Sequence, residues 1–231
     1  MRKQMTFQQI IAALQKHYGR PQPPVTRDPF EMIIWETIGY LVDDDRRKVA
    51  FDTLATEVEL EPTAILEASL PKLTSIAKMG GIHDALRAQR LKEAAQVVLN
   101  EFAGNLSSVL RMPKPDAVKA LKLFPSFSDP GAEKILLFAA AYPLLALDSN
   151  GLRVLLRLGF GEEKKSYSAS YKSVQAALQD EIGNDCEFLI TAHQLLRQHG
   201  QRLCKTNNPR CDACPIRRGC QYYLQLRQPH G

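Results

Sequence analysis

Cys204-Lys-Thr-Asn-Asn-Pro-Arg-Cys211-Asp-Ala-Cys214-Pro-Ile-Arg-Arg-Gly-Cys220 places four of the chain's five cysteines at the spacing C-x6-C-x2-C-x5-C. In a reducing compartment, thiols this close bind metal rather than pair as disulfides. Thiolates suit zinc or an iron–sulfur cluster. Structural zinc sites usually bring their cysteines as two close pairs. Here only Cys211 and Cys214 form a close pair, and the outer two stand at wider spacings. That favours wrapping around a larger object, a 4Fe–4S cluster, with zinc as the alternative. Cys186 stands apart at the start of an expected helix and reads as a small core or surface residue.

The same segment is the basic end of the chain. From Arg197 to Cys220 there are six Lys and Arg against Asp212 alone, in a chain of 231 residues whose net charge is +5. The excess positive charge therefore sits with the cysteines. A local basic patch suggests a polyanionic partner; a solvated surface is the plain alternative. The composition, 45% hydrophobic and 24% charged, is that of a folded globular chain and sets disorder aside. The longest apolar run, Ile135 to Leu147, is about half the roughly 20 residues a membrane span needs, and Pro143 interrupts it, so no membrane partner is expected. Met-Arg-Lys-Gln-Met-Thr-Phe has no apolar core behind it, so no secretory signal is expected and the cytoplasm is the expected location.

The rest of the chain reads as helices. Phe30, Ile33, Ile34, Thr37, Ile38 and Leu41 recur at helical spacing. Leu86, Leu91, Ala94, Ala95, Val98 and Leu99 continue that style before Glu101-Phe-Ala-Gly104. Pro113 and Pro115 mark a turn, with a short helix over about 116–123. A further helix is expected to start with Asp129 as N-cap and Pro130 at the first helical position, and to stop near Tyr142 before Pro143. Another begins near Asp148 to Asn150 and carries Leu152, Val154, Leu155 and Leu158. The stretches 172–178 and 187–200 look helical too. Few stretches alternate with period two, so the fold class is all-α.

The cysteine pattern resembles the iron–sulfur loop of endonuclease III and its relatives, the helix-hairpin-helix DNA glycosylases. Asn208-Pro209-Arg210-Cys211 also looks like that loop. Upstream, Phe124-Pro125-Ser126-Phe127-Ser128-Asp129-Pro130-Gly131-Ala132 stands where the family has its hairpin, Leu-Pro-Gly-Val-Gly-x-x-x-Ala. Ungapped from there, Tyr142-Pro143, Leu147-Asp148-Ser149 and Arg153-Val154 match the run through the family's catalytic aspartate. Asp28-Pro29-Phe30-Glu31 matches the start of the first barrel helix. The resemblance spans about residues 28 to 220. It implies two domains around a DNA cleft: a six-helix barrel with the hairpin over 22–143, and a discontinuous helical domain over 1–21 and 144–231. The second domain carries the cluster loop, 204–220, ligated by Cys204, Cys211, Cys214 and Cys220.

The resemblance also assigns roles. Asp148 matches the aspartate that stabilises an oxocarbenium-like sugar and orients the attacking nucleophile; the alternative is a helix cap. Lyase members carry a lysine after the hairpin that forms a Schiff base. Pro130 stands there instead; Lys134, about 6 Å further along the helix, is either an amine that reaches back or a solvated lysine. The two hairpin glycines are Ser126 and Ser128, with Asp129 following and Gly131 after it. Glu36 stands where mismatch adenine glycosylases have a catalytic glutamate, or else simply on a polar face. Tyr40 and Leu41 stand where relatives wedge a residue into the duplex; Leu41 could equally end the core stripe. Lys205 and Arg210 are the expected phosphate contacts of the cluster loop.

Together these imply a monomeric DNA repair N-glycosylase acting on double-stranded DNA. It would flip and excise a damaged or mispaired base without a lysine lyase step. The alternative is a catalytically silent protein that binds DNA lesions or structures on the same fold.

Overall fold

The computed structural model describes residues 4–226; residues 1–3 and 227–231, the outer ends of the expected discontinuous domain, lie outside the described residues. Among the described residues the chain is helical, with no strand beyond one isolated bridge between Tyr40 and Gly81. No described helix is long and apolar enough to cross a membrane. The chain divides into two compact units, one joining Met1–Pro23 to Tyr142–Gly231 and the other Pro24–Ala141.

Helix α1 (Phe7–Tyr18) belongs to the discontinuous unit. The continuous unit holds α2 (Pro29–Ile38), α3 (Asp44–Glu57), α4 (Pro62–Glu67), α5 (Leu70–Met79), α6 (Asp84–Phe102), a 3-10 segment at Leu106–Arg111, α7 (Lys114–Leu121) and α8 (Asp129–Phe138). Asp28 starts α2 by accepting the backbone N–H groups of Phe30 and Glu31, and Pro29 fills the first turn, where its missing N–H costs nothing. The apolar stripe then does what its spacing requires. Ile33, Ile34 and Ile38 are fully buried, and α2 packs on α3, α6 and α8. Each such side chain contributes about 1.5–3 kcal/mol of burial. Leu41 leaves the stripe: it is 76% exposed with φ +55.

Helix α8 differs from expectation at both ends. Ser128 occupies the cap position, without a side-chain cap bond, and Asp129 is the first helical residue. Asp129 turns instead to Lys122, whose Nζ lies 2.6 Å from Oδ1. The helix ends at Phe138 rather than near Tyr142 because Ala140 swings to φ +55 ahead of Pro143.

The discontinuous unit continues with α9 (Ser149–Leu158), α10 (Tyr167–Leu178) and α11 (Cys186–Arg202). Two 3-10 turns, Cys211–Ala213 and Arg217–Gly219, and α12 (Gln221–Leu226) complete it. Helix α11 packs on α9 and α1. The α9–α11 approach is close enough that a Cβ on Gly200 would lie 2.7 Å from the Asn150 Cβ, so no side chain fits there.

Candidate functional site

In the discontinuous unit, the buried segment Leu144-Leu145-Ala146-Leu147 leads into Asp148, and its carbonyls are held one by one. Tyr171 and Gln175 donate to Leu145 O, His193 Nδ1 contacts Ala146 O at 2.8 Å, and the Tyr167 hydroxyl donates to Leu147 O at 3.1 Å. Burial, and then the negative charge of Asp148, push the Tyr167 phenol up to about 12. Asp148 is the N-cap of α9: Oδ1 accepts the Gly151 N–H at 2.7 Å. Oδ2 accepts from Asn150 Nδ2 at 3.0 Å and faces Arg197 Nε at 3.7 Å. The cap reading of this residue therefore describes one of its oxygens, and the other is turned toward polar partners. The carboxylate is 28% exposed.

The four cysteines line one small recess with Arg157, Pro209 and Tyr222, a cavity of about 20 Å³. Among the described residues, no three or more His, Cys, Asp or Glu side chains converge as closely as a single ion requires. The donor set suits anionic sulfur. Arg157 Nη1 lies 3.4 Å from Cys204 Sγ, and the backbone N–H groups of Ile216 and of Tyr222 and Tyr223 are aimed at Cys214 and Cys220. Burial pushes the Cys214 thiol up to about 12 and also raises Cys211 and Cys220; a bound cationic centre would draw these sulfurs toward the thiolate form. Arg153 ties the first cysteine to the neighbourhood of Asp148: Nε donates to Cys204 O at 2.9 Å and Nη2 to Asn150 Oδ1 at 2.9 Å. The side chains of Lys205 and Arg210 are exposed.

In the continuous unit, a cavity of about 400 Å³ is lined by Glu36, Tyr40, His83, Arg90, Ser126 and Gly131, among others. Lys134 Nζ lies 2.6 Å from Glu36 Oε1, and Arg47 Nη1 lies 3.6 Å from the same oxygen. The two residues that the resemblance considers for separate chemistry are thus one ion pair. Ser126 keeps a left-handed turn at φ +69, and both Ser126 and Ser128 are exposed. Tyr40 and Leu41 project from a loop pinned beneath: Tyr40 N–H donates to Gly80 O, and a Cβ on Gly80 would meet Ile38 O at 2.0 Å. Tyr40 lies at a tilt of 42° against His83, 5.7 Å between ring centroids.

Sequence reasoning missed Arg87, which lies buried under both loops and donates to the carbonyls of Ile38, Ala77, Gly81 and Ile82. An arginine one turn into a helix that follows Gly80-Gly81 is a weak signal for such a clamp. It also missed Asn150 and Arg197, whose relation to Asp148 depends on helix packing rather than spacing.

No family profile matches the chain. It is similar to the endonuclease III of Sulfolobus acidocaldarius, 28% identical over 200 residues that cover 86% of this chain and 84% of the relative. Among solved structures it is similar to a trapped endonuclease III–DNA covalent intermediate, with a TM-score of 0.73 at 21% identity, covering 97% of this chain and 100% of that one. It is also similar to a thermostable thymine-DNA glycosylase, with a TM-score of 0.74 at 19% identity, covering 95% of this chain and 97% of that one. The structural likenesses establish the fold. The chain therefore has the all-helical fold of the endonuclease III-like helix-hairpin-helix glycosylases and is similar in sequence to endonuclease III.

Proposed function

We propose that this protein is a base-excision DNA glycosylase that releases a damaged or mispaired base by water attack and leaves the strand intact. One observation carries the monofunctional reading: Pro130 stands at the position of the family's nucleophilic lysine, and Lys134, one turn further on, is held by Glu36. Schiff-base chemistry needs a free amine at C1′. Asp148 would supply the remaining chemistry. With Oδ1 spent on the helix cap, Oδ2 would face the sugar, offset the positive charge that develops at C1′, and accept a proton from the incoming water.

Tyr40 and Leu41 would fill the gap left by the extruded base. The hairpin at Ser126, Ser128 and Gly131, with Lys205 and Arg210 of the cysteine loop, would contact phosphates of double-stranded DNA. Cys204, Cys211, Cys214 and Cys220 would hold a 4Fe–4S cluster. That group would supply structural rather than redox chemistry, fixing a loop that has little core of its own. The protein would act in the cytoplasm on nucleoid DNA.

The serine-substituted hairpin and Asp129 favour one other reading, a lesion binder without chemistry. A glycosylase screen separates the two. Duplexes holding uracil, oxidised pyrimidine, hypoxanthine, alkylated bases or mismatches should include at least one that loses its base. Binding without release from any of them would favour the binder.

A further inference from the structure

The pairing of Asp148 with Arg197 holds more information than catalysis by a lone carboxylate would need. Arg197 reaches Asp148 from a different helix, α11, and does so because α9 and α11 approach closely at Gly200 and Gly151: a Cβ on Gly151 would lie 3.4 Å from the Leu196 Cβ. A second guanidinium, Arg153, is also near, but its nitrogens are directed inward to Cys204 O, Gly200 O and Asn150 Oδ1. Arg197 Nε stands 3.7 Å from Oδ2, beyond hydrogen-bond distance but within reach of its charge, and the Arg197 side chain is 22% exposed beside a carboxylate that is 28% exposed. The surface thus presents a negative and a positive group side by side. A nucleotide undergoing glycosidic cleavage carries the complementary arrangement: a sugar becoming positive, next to a phosphodiester that is always negative.

We infer that Arg197 holds the phosphodiester adjoining the extruded nucleotide and thereby seats that nucleotide's sugar against Asp148. The inference rests on the glycosylase reading of Asp148 and adds a ligand to it. Arg197 is a positioning residue: it touches the phosphate, and the reacting carbon is aligned as a result. Lys205 and Arg210 lie on the exposed cysteine loop and serve any duplex, whereas Arg197 serves the nucleotide that has left the stack.

The test uses the full chain with its metal centre and duplexes carrying a tetrahydrofuran abasic site, which is neutral and cannot lose a base. Single phosphates on either side of the site are replaced by methylphosphonate. In the parent protein one of these replacements should weaken binding about tenfold, as loss of a charge-assisted contact does. Arg197→Met should weaken abasic binding by a similar factor and flatten its salt slope by about one, with less than a twofold change on undamaged duplex. In that variant the methylphosphonate should cost nothing further, and Arg197→Lys should recover much of the loss. Additive penalties, equal losses on damaged and undamaged DNA, or a parent indifferent to every flanking methylphosphonate would each overturn the inference while leaving the glycosylase reading standing. The last of these needs no variant to fold. Failure of the parent to bind any duplex would overturn both together.

Discussion

Lys134 and Glu36, 98 positions apart in sequence, meet at 2.6 Å on adjoining faces of α8 and α2. The lysine ammonium also lies 5.4 Å from the centre of the Phe138 ring. An ammonium in this setting is a structural cation, and a carboxylate with two cationic neighbours, Lys134 and Arg47, is a poor proton donor. Lys134→Ala should therefore leave base release within about threefold of the parent and lower stability by roughly 1 kcal/mol, discounted for partial exposure. Borohydride should trap neither protein on DNA. Efficient trapping that disappears in Lys134→Ala would make this lysine the nucleophile.

The hairpin carries its own counter-charge. Lys122 and Asp129 close across it at 2.6 Å, and both are partly exposed. On the proposed DNA contact of the hairpin, a carboxylate there would compete with phosphate for the lysine. Asp129→Asn should tighten binding to all duplexes a few-fold, about two- to five-fold, and steepen the salt slope by about one. Weaker binding would show that the pair holds the hairpin in its binding shape instead.

Leu41 pays for its place with backbone strain. A leucine at φ +55 costs about 1 kcal/mol relative to glycine, and 76% exposure returns little of it. Leu41→Gly should hold or raise the melting temperature by a few degrees, while lowering affinity for an abasic duplex about tenfold. A lower melting temperature with unchanged affinity would assign Leu41 to packing.

The cysteine loop should be coloured. Thiolate-to-iron charge transfer absorbs in the visible, so protein prepared without oxygen should be brown, with about four irons per chain. Ile216 and Cys220 are the buried side chains of the described segment from Cys204 to Cys220, too few to hold it without a metal centre. Cys214→Ser should lose the colour and the order of the loop. Colourless protein with about one zinc per chain would establish the zinc alternative.

What could be read in advance followed local rules. The stripe ending in Ile38 and the Asp28-Pro29 helix start obey spacing and capping, and both are visible in a single sequence. Asp148 is legible as a helix start for the same reason. Lys134 with Glu36, Arg197 with Asp148, and Arg87 with four carbonyls were not legible, because each joins elements whose contact depends on packing. Asp129 shows the limit even at short range. The Asp-Pro dipeptide predicts a cap, yet the carboxylate goes to Lys122, seven residues back, because the turn between them folds the two together.

The central claim is water-driven base release that depends on Asp148. Its most direct measurement follows the cleaved duplex from the glycosylase screen under single-turnover conditions, scoring free base and strand breaks separately, for the parent and for Asp148→Asn. Free base should accumulate with intact strands until hot alkali is added. Asp148→Asn should cut the rate by at least about a hundredfold, with binding to undamaged duplex nearly unchanged, since the neutral isostere removes charge but little shape. Strand breaks that keep pace with base release, or an Asp148→Asn protein that releases base at the parent's rate, would contradict the account.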